Sequence, residues 1–215
     1  TMLPLTILFW IDAASLRSKR YAETVRHYHD LLYANGNWSQ LPRPYAYIRL
    51  SDAEKPLLGD CIDEFYDRDI FPVVEDGRQI AERRHQSDLL HVLDRKEIQL
   101  QPYLLHVCGD TRIQPAPAAP ALLQILTTAA MTLSDNHHVV SISFPGPFTF
   151  SEKKIGEVYS VAPRVRYPAV MRSRDAYISA YLSRDQPIQQ ENLLAALSGY
   201  PARHLSFNTS VASTL

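Results

Sequence analysis

Short apolar runs alternate with segments of helical spacing along this chain, and the runs end in polar or charged residues. The clearest run, LTILFWI at 5–11, is continuous rather than alternating, which predicts a strand buried on both faces. Residues 19–33 follow with Tyr21, Val25, Tyr28 and Leu32 on one helical face, making a β-then-α unit. Further strands are predicted at 45–50, 103–108, 139–144 and 169–172, the last being the final strand of the chain, with helices at 56–66, 86–95 and 121–133. Pro56 is read as opening its helix, where a missing N–H costs nothing. Residues 67–85 are charged around an apolar centre at 70–74 that reads as an edge strand or a lid, and the Pro/Ala stretch at 114–120 reads as a linker. Strands separated by helices predict an α/β fold with a mostly parallel central sheet flanked by helices on both faces.

Composition limits the alternatives. A chain of 215 residues that is 46% hydrophobic supports one core, read here as a single domain over 3–207 with a mobile tail at 208–215. Its 22 basic and 23 acidic residues balance, so no global field recruits nucleic acid or an anionic membrane. No run reaches the roughly 20 apolar residues of a membrane span, and no basic leader precedes the first apolar run, so a cytoplasmic protein without a transmembrane segment is expected. Thr1 before Met2 reads as an expression remnant. Cys61 and Cys108, one in a helix-like and one in a strand-like segment, fit a reduced chain in which both pack.

Open α/β sheets collect ligands at the carboxyl ends of their strands, which directs attention to Asp12. It follows the most hydrophobic strand and precedes two alanines, so substrate can approach it closely; the alternative is that Asp12 or Ser15 caps the next helix. Arg17, Lys19 and Arg20 lie just downstream, near a helix N-terminus that favours anions. A carboxylate beside an anion site suggests Mg²⁺ bridging to substrate phosphates. Arg172 and Arg174, with Asp175 and Ser179, form a second constellation: a guanidinium ending a strand matches phosphate oxygens, or it pairs on the surface with Asp175. Gly109, Asp110 and Thr111 read as a strand-ending turn that serves as scaffold. His27 and His29 are two residues apart on a helix and do not face each other, and His137 and His138 point to opposite sides of a strand, so histidine metal sites are not expected. GxGxxG, P-loop, CxxC and GxSxG signatures are absent from the sequence.

Taken in order, these fragments resemble the cis-prenyltransferase family, the undecaprenyl diphosphate synthase-like enzymes. ILFWIDAA is similar to that family's first strand and Met-Asp-Gly-Asn motif, with Asp12 at its metal-binding aspartate. LSDAEKP at 50–56 resembles a contracted Phe-Ser-x-Glu-Asn-Trp-x-Arg-Pro stretch, with Ser51 at its serine. LLHVCGDTRIQP and AAMTLSDNHHVVSISF are similar to later strand-turn segments, and MRSRDAYIS resembles the C-terminal Arg-x-x-x-Glu-x-Arg-x-Ser motif, with Arg172, Asp175 and Ser179 at its matching positions. The colinearity spans most of the chain, with departures: Ala13 and Ala14 replace Gly and Asn, Tyr177 stands at the second arginine, the phosphate loop and a glutamate-bearing segment are missing, and 67–85 is inserted.

The resemblance implies a prenyltransferase that condenses or cyclises short isoprenoid diphosphates by Mg²⁺-assisted loss of diphosphate. It assigns Asp12 to the metal and, with Ser51, to catalysis, and Arg172 and Ser179 to the diphosphate, where Arg17 and Arg20 are expected from their place near the helix N-terminus and Arg174 as the candidate to replace the missing second arginine. It implies isoprenoid diphosphate substrates and a homodimer, or a heterodimer with a related subunit. The alternative reading is an impaired prenyltransferase-like subunit that binds a partner or an isoprenoid diphosphate. A phosphate- or nucleotide-binding α/β regulator is a third, since any doubly wound sheet offers anion sites at its strand ends.

Overall fold

The computed structural model describes residues 2–34, 40, 42–59, 61–77, 92, 95–109, 111–113, 122–136, 139–145, 154–155, 158–162, 168–175, 203–207 and 212–214. The predicted helix at 86–95 lies largely outside them. The chain opens with β1 (Leu5–Ile11), α1 (Ala13–Ser18), α2 (Arg20–Ala34) and β2 (Tyr45–Arg49). A 3₁₀ helix (Asp52–Leu58), α3 (Cys61–Asp67), β3 (Phe71–Glu75), β4 (Tyr103–Cys108) and β5 (Thr111–Ile113) follow. Then come α4 (Leu122–Asp135), β6 (Val139–Pro145), β7 (Lys154–Ile155), β8 (Tyr159–Ala162), β9 (Pro168–Ser173), β10 (Arg203–Phe207) and β11 (Ala212–Thr214).

One nine-stranded sheet has the order β3-β2-β1-β4-β9-β6-β10-β8-β7. The quartet β3-β2-β1-β4 is parallel, while β9 runs antiparallel to both β4 and β6, and β8 antiparallel to both β10 and β7. The sheet is therefore mixed, where the strand–helix alternation predicts a mostly parallel one. β9 is not the last strand: β10 inserts beside β6 in parallel, and β11, within the tail expected to be mobile, pairs with β5 in a separate ribbon. β10 (RHLSF) alternates polar and apolar residues, so it carries no continuous run to mark it. The centre at 70–74 becomes the edge strand β3, and Pro72 fits there because an edge strand can spare a ladder donor.

Pro56 does not open a helix. Ser51 precedes a 3₁₀ turn that contains Pro56 and ends at Gly59, and α3 starts afresh at Cys61. The Glu54 carboxylate accepts from the Ser51 hydroxyl (2.8 Å) and the Ser51 N–H (3.1 Å), which pins the start of that turn.

The period-2 alternation of each strand gives the sheet two unlike faces. One carries Ile7, Phe9 and Ile11 of β1, Ile48 of β2, Val107 of β4, Met171 of β9 and Phe144 of β6. Helices α1 to α4 contribute to this core, for example through Leu16, Val25, Phe65 and Leu126. The sequence pattern predicts helices on both faces. The opposite face has a smaller apolar core of Leu8, Tyr47, Val73 and Leu104 with Val92 and Ile98, and it also carries a set of buried polar residues. Register places Thr6, His106, Arg172, Ser141, Ser143, His204, Ser206 and Ser160 on that face. Ser141 Oγ lies 2.7 Å from His204 Nδ1, and Thr6 Oγ1 donates to Gln99 O and accepts from Gln101 N, as buried polar groups require.

Candidate functional site at the β1 and β4 strand ends

From β1 the chain proceeds to β2 and β3 on one side and then returns to β4 on the other. The crevice between the carboxyl ends of β1 and β4 is thus the topological switch point of the parallel quartet, the position at which open α/β sheets bind ligands. A cavity of ≈ 380 Å³ opens there, lined by Trp10, Asp12, Ala14, Ser15, Ser18, Arg20, Cys108 and Gly109. Its size falls within the range of small-molecule sites.

Each wall has a local cause. Asp12 leaves β1 in extended conformation and caps α1, its Oδ1 accepting the Ser15 N–H at 2.8 Å. Helix α1 is a short turn that ends at Lys19 in the left-handed region (φ 57°), and α2 starts at the next residue, so Ser18 and Arg20 stay beside the strand end. The Gly109 carbonyl accepts both the Ser15 hydroxyl (2.9 Å) and the Thr24 hydroxyl (3.0 Å), tying the end of β4 to α1 and α2. A Cβ on Gly109 would lie 2.8 Å from the Trp10 carbonyl oxygen and 3.0 Å from Ser15 Oγ, so the close approach of the two strand ends requires glycine.

Beneath the cavity, on the polar face, lies an aromatic and charged group. Trp10 stacks on Tyr47 with centroids 4.7 Å apart and planes 21° from parallel, and the Arg49 guanidinium lies 5.6 Å from the Trp10 ring centroid. The Tyr47 hydroxyl donates to the fully buried Glu75 carboxylate, whose Oε2 is 3.7 Å from Arg49 Nε. Burial first, and then the bond to Glu75, pushes the Tyr47 phenol up from its ordinary value, so it remains a donor. His106 tilts against the Trp10 ring at 5.2 Å.

Burial, reinforced by the nearby Arg172 charge, pushes the His106 imidazole down to about 3. The unfolded chain therefore takes up a proton below about pH 6.5 that the folded chain refuses. The stability from a neutral His106 is complete above that pH and is lost as pH falls toward about 3, at roughly 1.4 kcal/mol per pH unit. Urea unfolding midpoints of the wild type should fall between pH 7 and pH 4.5, and His106→Gln should fall less steeply. Parallel pH slopes in the two proteins would remove His106 from the acid sensitivity.

The residues singled out in the sequence do not converge. Asp12 and Arg20 share the cavity wall. Arg17 instead pairs with Glu54 at 3.0 Å, and Ser51 is taken up in the 3₁₀ helix start. The Ser51 hydroxyl and N–H, then Arg17, hold the Glu54 carboxyl below its ordinary value. Arg172 is buried on β9 opposite Leu104, which stands opposite Thr6. Thr6 is six residues before Asp12, about 20 Å along the strand, so Arg172 cannot share a ligand phosphate with Asp12. Arg174 lies further toward that opposite edge, where its N–H donates to Pro102 O, its Nη1 to Leu100 O at 3.0 Å, and its Nε pairs with Asp175. The cause is strand direction: β9 is antiparallel, so its carboxyl end points away from that of β1. Ser179 lies outside the described residues, as do Asp110, His137 and His138. The cavity walls missed by the sequence reading are Trp10, Ser18 and the cavity-facing places of Cys108 and Gly109; for the last two, the small residues ending HVCG were the one available signal.

No family model and no curated protein matches the chain. Solved structures do. The inositol-1-phosphate CTP transferase from T. maritima is similar over 98% of this chain and 88% of its own, at 13% identity and a TM-score of 0.51. Apo UDP-glucose pyrophosphorylase is similar over 96% of this chain and 91% of its own, at 8% identity and a TM-score of 0.53. An active-site mutant of LgtC is similar over 93% of this chain and 72% of its own, at 11% identity and a TM-score of 0.51. These neighbours overturn the resemblance to cis-prenyltransferases, and with it the isoprenoid condensation or cyclisation, the impaired prenyltransferase subunit, and the isoprenoid substrates and related-subunit partners that it implied. Among the described residues no helix is long and apolar enough to cross a membrane. The fold is a mixed α/β sheet of the kind found in these solved structures.

Proposed function

We propose that the protein is a nucleotide-dependent transferase, binding a nucleoside phosphate or nucleotide sugar between β1 and β4 and transferring its nucleotidyl or glycosyl group. The observation that carries this reading is the cavity at the switch point, where Asp12 and Arg20 bring opposite charges to one wall. The neighbouring folds support it: one acts as a CTP transferase, and UDP-glucose pyrophosphorylase has been captured with UDP-glucose. Arg20 supplies a guanidinium fork for a phosphate. Asp12 is the candidate ligand for a divalent cation. Among the described residues no group of three or more His, Cys, Asp or Glu side chains could hold a metal, and Asp12 is the carboxylate they place on the cavity wall, to be joined by substrate oxygens and water. That set suits Mg²⁺, which keeps its waters and takes few protein ligands. When bound, such an ion neutralises phosphate charge as the leaving group departs. Arg20 would orient the phosphates directly and Asp12 through the ion it would hold, and the Trp10 side of the cavity excludes water.

Two substitutions separate the cap from the ligand. Asn retains the N-cap, so Asp12→Asn should keep the melting temperature near wild type while weakening Mg²⁺-dependent UDP-glucose binding by roughly tenfold, a loss of about 1.4 kcal/mol. Asp12→Ala should lose that binding and also about 1 kcal/mol of stability. Calorimetric titration with UTP, CTP and UDP-glucose, with and without Mg²⁺, is the measurement. Wild-type affinity in Asp12→Asn would remove the carboxylate from the site, and no binding of any of the three would refute the nucleotide reading.

A further inference from the structure

The aromatic stack at the floor of the cavity is interrupted. Tyr47 on β2 and Trp10 on β1 are register partners and stack face to face. The next register partner across the sheet, on β4, is Cys108. Adjacent strands lie about 4.8 Å apart, so a third ring at that position would continue the stack. A small thiol stands there instead, followed by Gly109, and these two residues with Trp10 line the cavity. Arg49 and Glu75 brace the β2 side of the stack, while on the β4 side His106 meets Trp10 two residues before Cys108.

We propose that the base of the nucleotide lies against Trp10 above Cys108, completing the stack that Tyr47 begins, and that Tyr47, Arg49 and Glu75 are positioning residues for the Trp10 ring. This rests on the nucleotide reading above and adds to it the part of the ligand that the floor recognises. Every base offers a flat π-face, so Trp10 confers affinity for a nucleobase over a bare sugar phosphate, with little preference among bases. Gly109 and Cys108 matter here by being small: bulk at either position fills the slot.

Trp10 and Trp38 are the two tryptophans of the chain. In a Trp38→Phe background, verified by calorimetry to bind UMP, Trp10 is the sole tryptophan reporter. UMP should quench its emission saturably, with the midpoint matching the calorimetric Kd, and ribose 5-phosphate should bind without quenching. Trp10→Leu should weaken UMP about five- to a hundred-fold while leaving ribose 5-phosphate unchanged, and Trp10→Phe, which keeps a ring, should recover most of the loss. Calorimetric UMP binding with no change in Trp10 emission would overturn the stacking proposal and leave the nucleotide reading standing. A parallel loss of UMP and ribose 5-phosphate affinity in both Trp10 variants would also overturn it, marking the ring as structural. No wild-type binding of UMP would overturn this proposal, and the nucleotide reading falls with it only where UTP, CTP and UDP-glucose also fail to bind.

Discussion

Gly109→Ala should lower stability by about 3 kcal/mol and the melting temperature by roughly 6–12 °C, a large effect for a single methyl group. The added Cβ would lie 2.8 Å from the Trp10 carbonyl oxygen, a backbone atom of a central strand that cannot swing aside. Relief would require β4 to withdraw from β1, which strains the Gly109 carbonyl's hydrogen bonds from Ser15 and from the fully buried Thr24. Those bonds contribute about 1 kcal/mol each, and overpacking costs about 1–3 kcal/mol. Gly59 is the internal control: a Cβ there meets its nearest neighbour, the Pro56 carbonyl oxygen, at an ordinary 3.6 Å, so Gly59→Ala should be neutral or slightly stabilising. Urea unfolding of both variants tests the pair. A Gly109→Ala protein within about 0.5 kcal/mol of wild type would show that the strand ends are not held as tightly as the geometry requires.

Glu75→Ala should cost a similar or larger amount, about 3–5 kcal/mol. Glu75 has no exposed surface, receives the Tyr47 hydroxyl and faces Arg49, whose side chain is 24% exposed. Removing the carboxylate takes an acceptor from the phenol and one counter-charge from the guanidinium, and breaking a buried pair costs more than the pair contributes. Partial solvation of Arg49 moves the expectation toward the lower end. A double-mutant cycle with Tyr47→Phe isolates the hydrogen bond: the hydroxyl should matter in the wild type and much less once Glu75 is alanine. Additive losses would mean that the two side chains act independently. A Glu75→Leu protein as stable as wild type would show that the charge contributes nothing a hydrocarbon cannot.

The resemblance to prenyltransferases misled for a physical reason. A buried strand ending in a carboxylate, followed by a helix, meets the same constraints in any open α/β sheet, so short strand-end motifs recur without common chemistry. Asp12 was legible as a strand-end residue, and its cap to Ser15 is one of the two readings open in the sequence. Arg172 and Arg174 were legible as strand-end arginines, but a run such as PAVMR is the same pattern whether the strand points up or down.

What the sequence determined by itself is local. The near-continuous apolar run placed β1 at Leu5–Ile11, and the YLLHVC run placed β4 at Tyr103–Cys108, because burial on both faces favours a largely apolar strand, here interrupted only at Thr6 and His106. Strand direction, strand order and the pairing of Trp10 with Tyr47 and Cys108 were decided only by the tertiary structure. They depend on hydrogen bonds and contacts between segments up to about a hundred residues apart, for which a periodicity within one segment carries no information.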